Sequence, residues 1–260
     1  MADEKIRLGG MALPNGVLVH GPRSWACAVR HPDGRLEVAA QPKRFLAAKM
    51  KTPLVRGPAR LVEAMAIIPA VKRRLPAAKL PFERPGVLAA ALGSAVVVKV
   101  VRDSTVLRPA AQELLSGLLS LAPATMALQS SELAAYHGAE HIAIGTYEHG
   151  EKRAKEHERC GSHLIGPLIA TTALGNALAS RAPERWRGPA RAAAQLGALG
   201  ASTEIFAWMA RHPESRVSHA LARPGHELQH RLATAEPSTE QLEVAEAALA
   251  ACLELERGPD

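Results

Sequence analysis

Aromatic residues are scarce in this sequence. Three Trp, two Tyr and three Phe make up only 3% of 260 residues, although 47% are hydrophobic. The apolar positions are mostly Ala, Leu and Val, which favours closely packed helices over a large β-sandwich or barrel. Cysteine is scarce too. Cys27, Cys160 and Cys252 are odd in number and far apart. That argues against a disulfide framework and for a reducing, cytoplasmic setting. The opening MADEKIRLGG is charged and lacks the apolar core of a secretory leader, so none is expected. Clean apolar runs are missing as well. The most apolar windows are 86–101, which is short and contains Lys99; 163–179, rich in Ala, Gly and Thr; and 192–210, which holds Gln195 and Glu204. A helix crossing a bilayer needs about 20 apolar residues. These windows are therefore expected to be buried core helices, with peripheral membrane contact as the alternative.

The net charge of +7 is uneven. Residues 1–100 hold 17 Lys and Arg against 6 Asp and Glu, and the remainder holds 15 against 19. The basic half suits a solvated face or an anionic surface. No basic motif interleaved with aromatics accompanies it, so no nucleic-acid partner is expected.

Along the chain the expectation is an α+β fold, a small N-terminal β unit (1–55) followed by a mostly helical bundle (56–260), integrated as one domain. Turn residues punctuate 9–40, with strands at 17–20, 24–30 and 36–39. His31-Pro32-Asp33-Gly34-Arg35 reads as a hairpin turn, because Pro presets φ and Gly accepts a positive one. Helical periodicity starts near Pro58 and runs to Leu75, and 76–85 is a Pro-rich linker. Further helices are expected at 86–102, 109–121, 130–152, 162–180, 188–211, 215–232 and 237–255. Ser238 and Gln241 spell a capping box at the start of the last one.

The most chemically pointed stretch is 136–148, Y-H-G-A-E-H-I-A-I-G-T-Y-E. On a helix, His137, His141 and Glu148 fall within roughly 40° of one another at 3.6 residues per turn. The order H-x-x-E-H is the inverted zincin pattern, in which one helix supplies two imidazole ligands and a carboxylate base, Glu140. A zinc site needs at least a third ligand. Glu204, alone in an apolar stretch, is one candidate, because a carboxylate there must be paired, protonated or metal-bound. Glu148 is another, and fits an outer partner of a ligand equally well. Cys160 is a third, since a thiolate with two imidazoles also holds zinc. His157 and His163 flank it, and Arg159 beside it could hold an anionic group. The bland alternatives are unrelated histidines, a helix-face salt bridge for Glu204 and a buried apolar role for Cys160.

At these residues the chain resembles a bacterial and chloroplast domain-of-unknown-function family, sometimes called YqhQ-like and catalogued as "predicted metal-dependent enzyme". Gly9-Gly10-Met11-Ala12, Gly16-Val17 and Gly21-Pro22-Arg23-Ser24-Trp25-Ala26 look like its opening blocks. Tyr136 to His141 with Tyr147-Glu148 resembles its central motif. His157 with Arg159-Cys160-Gly161-Ser162 resembles its cysteine block, and 224–245 its C-terminal block. Asn15, His20 and Glu158 depart from the family's usual Glu, Arg and Pro. The resemblance implies metal dependence, and it implies membrane-spanning segments longer than the apolar windows here.

The function expected is a hydrolase with a divalent metal, zinc by type, held by His137, His141 and Glu204, with Glu140 as general base. Tyr136, Glu148, His157, Arg159 and Cys160 would line or support the site. The alternative is a membrane-proximal scaffold in which the same His, Glu and Arg side chains form a buried network joining helices. A redox or metal-sensing role for Cys160 is a third.

Overall fold

The computed structural model describes residues 5–43, 45–120, 122–128 and 131–258. Its strands are β1 (Gly9–Leu13), β2 (Gly16–His20), β3 (Ser24–Arg30) and β4 (Leu36–Pro42). Its helices are α1 (Arg56–Met65), α2 (Ile68–Arg74), α3 (Pro85–Asp103), α4 (Pro109–Ser120), α5 (Ala122–Leu128), α6 (Ser131–His149), α7 (Ile165–Ala179), α8 (Glu184–Met209), α9 (Arg216–Leu228) and α10 (Thr239–Arg257). The α+β class expected from sequence is therefore the one observed. The chain forms two compact units, one of Met1–Arg44, Ile67–His157 and His230–Asp260, the other of Phe45–Ala66 and Glu158–Gln229.

In the first unit the strands form an antiparallel meander in the order β1-β2-β3-β4. Three of them match the expected strands. β1 is additional: its Gly9-Gly10 start reads as a turn, but pairing Gly10 with Val19 and Ala12 with Val17 makes it an edge strand. The His31–Arg35 turn forms as expected, with Gly34 at φ +84° and the Gly34 amide donating to His31 O at 2.9 Å.

Helices α6 and α10 pack on one face of the sheet. Ala12, Ala26 and Ala28 from the strands meet Ala139, Ala143, Ala245 and Ala248 from the helices. Small side chains on both surfaces let helix and sheet approach closely, which is how a core with so few aromatics closes. The opposite face of β2 and β3 is buried as well, through Leu18, Trp25, Cys27 and Val29. Burial pushes the Cys27 thiol up to about 12, as suits an inert core cysteine. The α10 capping box forms as expected: Ser238 Oγ accepts from the Gln241 amide at 3.2 Å and Gln241 Oε1 accepts from the Ser238 amide at 2.9 Å.

Two helical expectations need correction, over 58–75 and over 86–101. The single helix expected over 58–75 is two, α1 and α2, because Pro69 sits in the first turn of a new helix, where its missing N–H costs nothing. The helix expected at 109–121 forms as α4, and α5 is an additional helix after it. The window 86–101 is no core helix, since Val87 is the single buried residue of α3.

The second unit packs α7 against α8 and α9, and α1 against α8. Gly166 is where α7 meets α9. A β-carbon there would collide with Leu221 O.

Candidate metal centre

His137 and His141 lie one turn apart on α6, with ring centroids 4.3 Å apart and ring planes inclined at 59°. His141 is buried. Two glycines of the same helix shape their surroundings. A β-carbon on Gly138 would collide with Ala235 O, so glycine lets residues 233–235 lie directly on α6. The Ala235 amide donates to Ala134 O at 2.9 Å there. Gly145, two turns on, faces the returning loop less tightly: its β-carbon would lie 3.2 Å from Arg153 Cβ and 3.5 Å from His157 Cδ2.

Each segment brought in this way presents a carbonyl to one imidazole. His137 Nδ1 lies 2.8 Å from Ala233 O, and His141 Nδ1 lies 2.6 Å from Lys155 O. A carbonyl can only accept, so Nδ1 of each ring is a protonated nitrogen. The rings are thereby fixed in tautomer and orientation, as in metal-binding histidines whose second nitrogen is held by a carbonyl.

The two anchoring segments are stitched to each other. Lys155 Nζ donates to Glu156 Oε1 at 2.7 Å, to His230 O at 3.3 Å and to Thr234 Oγ1 at 3.4 Å. His230 Nδ1 lies 3.0 Å from Glu156 Oε1. Burial alone would raise the Glu156 carboxyl, but hydrogen bonds from Lys155 and His230 outweigh it and hold the group at about 2.

The remaining expected residues are placed as follows. Glu148 Oε2 is 3.2 Å from His157 Nε2, with both side chains largely buried, and the His157 ring is 5.5 Å from that of His141. Glu140 is buried and points at β1: a β-carbon on Gly10 would overlap its carboxylate. Tyr136 packs in the core between helix and sheet, and its hydroxyl is raised by burial first and then by the charge of Glu132. Asn15 bridges the β1–β2 turn to 77–79, donating to Ala77 O at 3.0 Å and accepting from the Lys79 amide at 2.9 Å.

In the second unit, Glu204 is gripped by Arg56, whose Nε donates to Oε1 at 2.8 Å and whose Nη2 donates to Oε2. The Leu54 amide adds a bond of 3.2 Å. The Arg56 contact holds the Glu204 carboxyl below its usual range. Of the options for a carboxylate in an apolar stretch, pairing is thus the one realised. Cys160 and Arg159 are half-buried. Burial raises the Cys160 thiol, partly offset by hydrogen bonds to Ser162 and Gly161.

Sequence reasoning missed the two main-chain acceptors, which no side chain announces. It also passed over Gly138 and Gly145, whose seven-residue spacing puts both on one helix face.

The fold and site define an α+β protein whose central helix carries two oriented imidazoles. Residues 119–255, more than half of the chain, match the family described as a protein of unknown function (DUF1385), and the chain belongs to that family. No curated protein and no solved structure matches it.

Proposed function

We propose that His137 and His141 bind a divalent transition metal, zinc by donor type, and that the protein is a metal-dependent hydrolase. One observation carries this: both imidazoles of H-x-x-E-H are held through Nδ1 by main-chain carbonyls, the anchoring by which metal-binding histidines are oriented. A pair of surface histidines needs no such anchoring. Cys160 is the third ligand of the proposal on sequence grounds, because a thiolate with two imidazoles also holds zinc. It follows His157 by three residues, and so short a tether spans at most about 10 Å of extended chain. Glu204 is the weaker candidate because Arg56 and Leu54 already satisfy its carboxylate.

Three protein ligands leave a fourth position for water, and a bound zinc makes such water acidic enough to attack at neutral pH. Glu140, next to His141 in the chain, is the acid–base group of the proposal. Glu148 orients His157 beside the pair. The scaffold alternative needs the same hydrogen bonds but no metal.

Metal analysis of untagged protein tests the proposal. About one equivalent of zinc in wild type is expected, with loss in His137→Ala and His141→Ala and retention in Glu140→Gln. Wild type and His137→Ala both free of metal after growth with added zinc would refute it.

A further inference from the structure

The sulfur of Cys160 is surrounded by hydrogen-bond donors from its own unit. Cys160 opens the short turn Gly161–Leu164 that leads into α7, and its carbonyl accepts from the His163 amide at 3.0 Å. Its sulfur accepts from the amides of Gly161 and Ser162 and from the Ser162 hydroxyl. A neutral thiol is a weak acceptor, and three donors aimed at one sulfur suit a thiolate.

The Ser162 hydroxyl is itself aimed. Gln229 caps the C-terminus of α9 and has no exposed surface. Its Nε2 donates to Ser162 Oγ at 2.7 Å and lies 3.5 Å from Nδ1 of the buried His163. A hydroxyl has one hydrogen. With Gln229 occupying a lone pair of Ser162 Oγ, that hydrogen is the one left for the sulfur. Gly225, one turn before Gln229, sets the reach. A β-carbon there would come within 2.4 Å of Ser162 O, so glycine lets α9 lie directly on residues 162–163.

Burial works against this arrangement. It raises the Cys160 thiol, while all three hydrogen bonds lower it. A buried anion needs a counter-charge, and a metal ion bound at the sulfur supplies one while leaving the hydrogen bonds in place. Hydrogen bonds to a metal-bound thiolate also draw charge off the sulfur, and so set how strongly it donates to the metal.

We infer that Gln229 and Ser162 are positioning residues of the metal centre: Gln229 orients the Ser162 hydroxyl, and that hydroxyl holds the Cys160 thiolate as a ligand. The inference rests on the reading of Cys160 as the third ligand. It gives a fully buried glutamine and a serine a part in metal binding, although neither is itself a ligand.

The test is cobalt and zinc binding by the full chain. Wild type loaded with cobalt is expected to show a thiolate charge-transfer band. Ser162→Ala and Gln229→Met should each move that band to lower energy and weaken zinc binding about 10- to 100-fold. Ser162→Thr keeps a hydroxyl and should restore both. Gln229→Glu keeps the side-chain shape but accepts where Gln donates, so it should move the band as Gln229→Met does and gives a second test of that residue. Ser162→Ala/Gln229→Met should lose no more affinity than Ser162→Ala alone, because Gln229 acts through Ser162. Wild type that binds no cobalt, or binds it without the band, refutes the reading of Cys160 and the inference with it. A band present in wild type and unmoved by the single variants refutes the inference alone. So does a double variant whose losses add, which would mean two separate packing defects.

Discussion

Gly138 lies directly beneath the carbonyl of Ala235, with no room for a β-carbon between them. Alanine in a helix interior ordinarily stabilises by roughly 0.5–1 kcal/mol relative to glycine. Here the collision is with backbone and cannot be relieved by a rotamer change. Gly138→Ala should therefore destabilise by about 1–3 kcal/mol in urea unfolding. Because the displaced segment carries Ala233 O, zinc affinity should fall in the same variant. Unchanged stability and unchanged affinity would show that the approach is looser than the structure has it.

Cobalt substitution separates the candidate third ligands. A thiolate ligand gives cobalt an intense near-ultraviolet charge-transfer band. That band should be present in wild type, absent in Cys160→Ser and unaltered in Glu204→Gln. A band that survives Cys160→Ser would rule the thiol out. Loss of metal in Glu204→Gln would restore the carboxylate and break the reading of Glu204 as the partner of Arg56.

How much of this was legible beforehand depended on whether the signal sat in side chains. His137, His141 and Glu148 share a face by helical spacing alone, and the Ser238–Gln241 box was readable letter by letter. β1 was not, because glycines at its start lack the alternation that marks a strand, and its pairing with β2 is what makes it one. Glu204 was readable as a carboxylate that needed a partner. Nothing local named Arg56, which lies 148 residues away in sequence. The exposure of α3 was hidden for a related reason: composition alone cannot tell a helix covered by protein from one left exposed.

Acid should loosen the loop that holds His141. Glu156 sits at about 2 in the folded protein against an ordinary value of 4.5. Its folded value is depressed, so its contribution is present above the ordinary value and is lost as pH falls from about 4.5 to about 2. The carboxylate is partly open to water, so the effect should be on the order of 1 kcal/mol. Urea midpoints measured across that window should decline in wild type and decline less in Glu156→Gln. Parallel curves would mean that the contacts with Lys155 and His230 add nothing.

Glu256 fastens α10 to the β2–β3 turn. Almost wholly buried, it accepts from the Arg23 amide at 2.8 Å and from Ser24 Oγ at 2.7 Å. Glu256→Ala would leave both donors without this acceptor and should cost about 2–3 kcal/mol in a denaturant titration. A loss below about 0.5 kcal/mol would show that water replaces the carboxylate without penalty.

The carbonyls that orient the two imidazoles belong to Lys155 and Ala233, and neither depends on which side chain stands there. Substitution at those positions leaves the acceptor in place as long as the chain keeps its path. The orientation of the pair is therefore inherited from backbone shape, which the Lys155 side chain helps to hold and which bulk added at Gly138 would disturb.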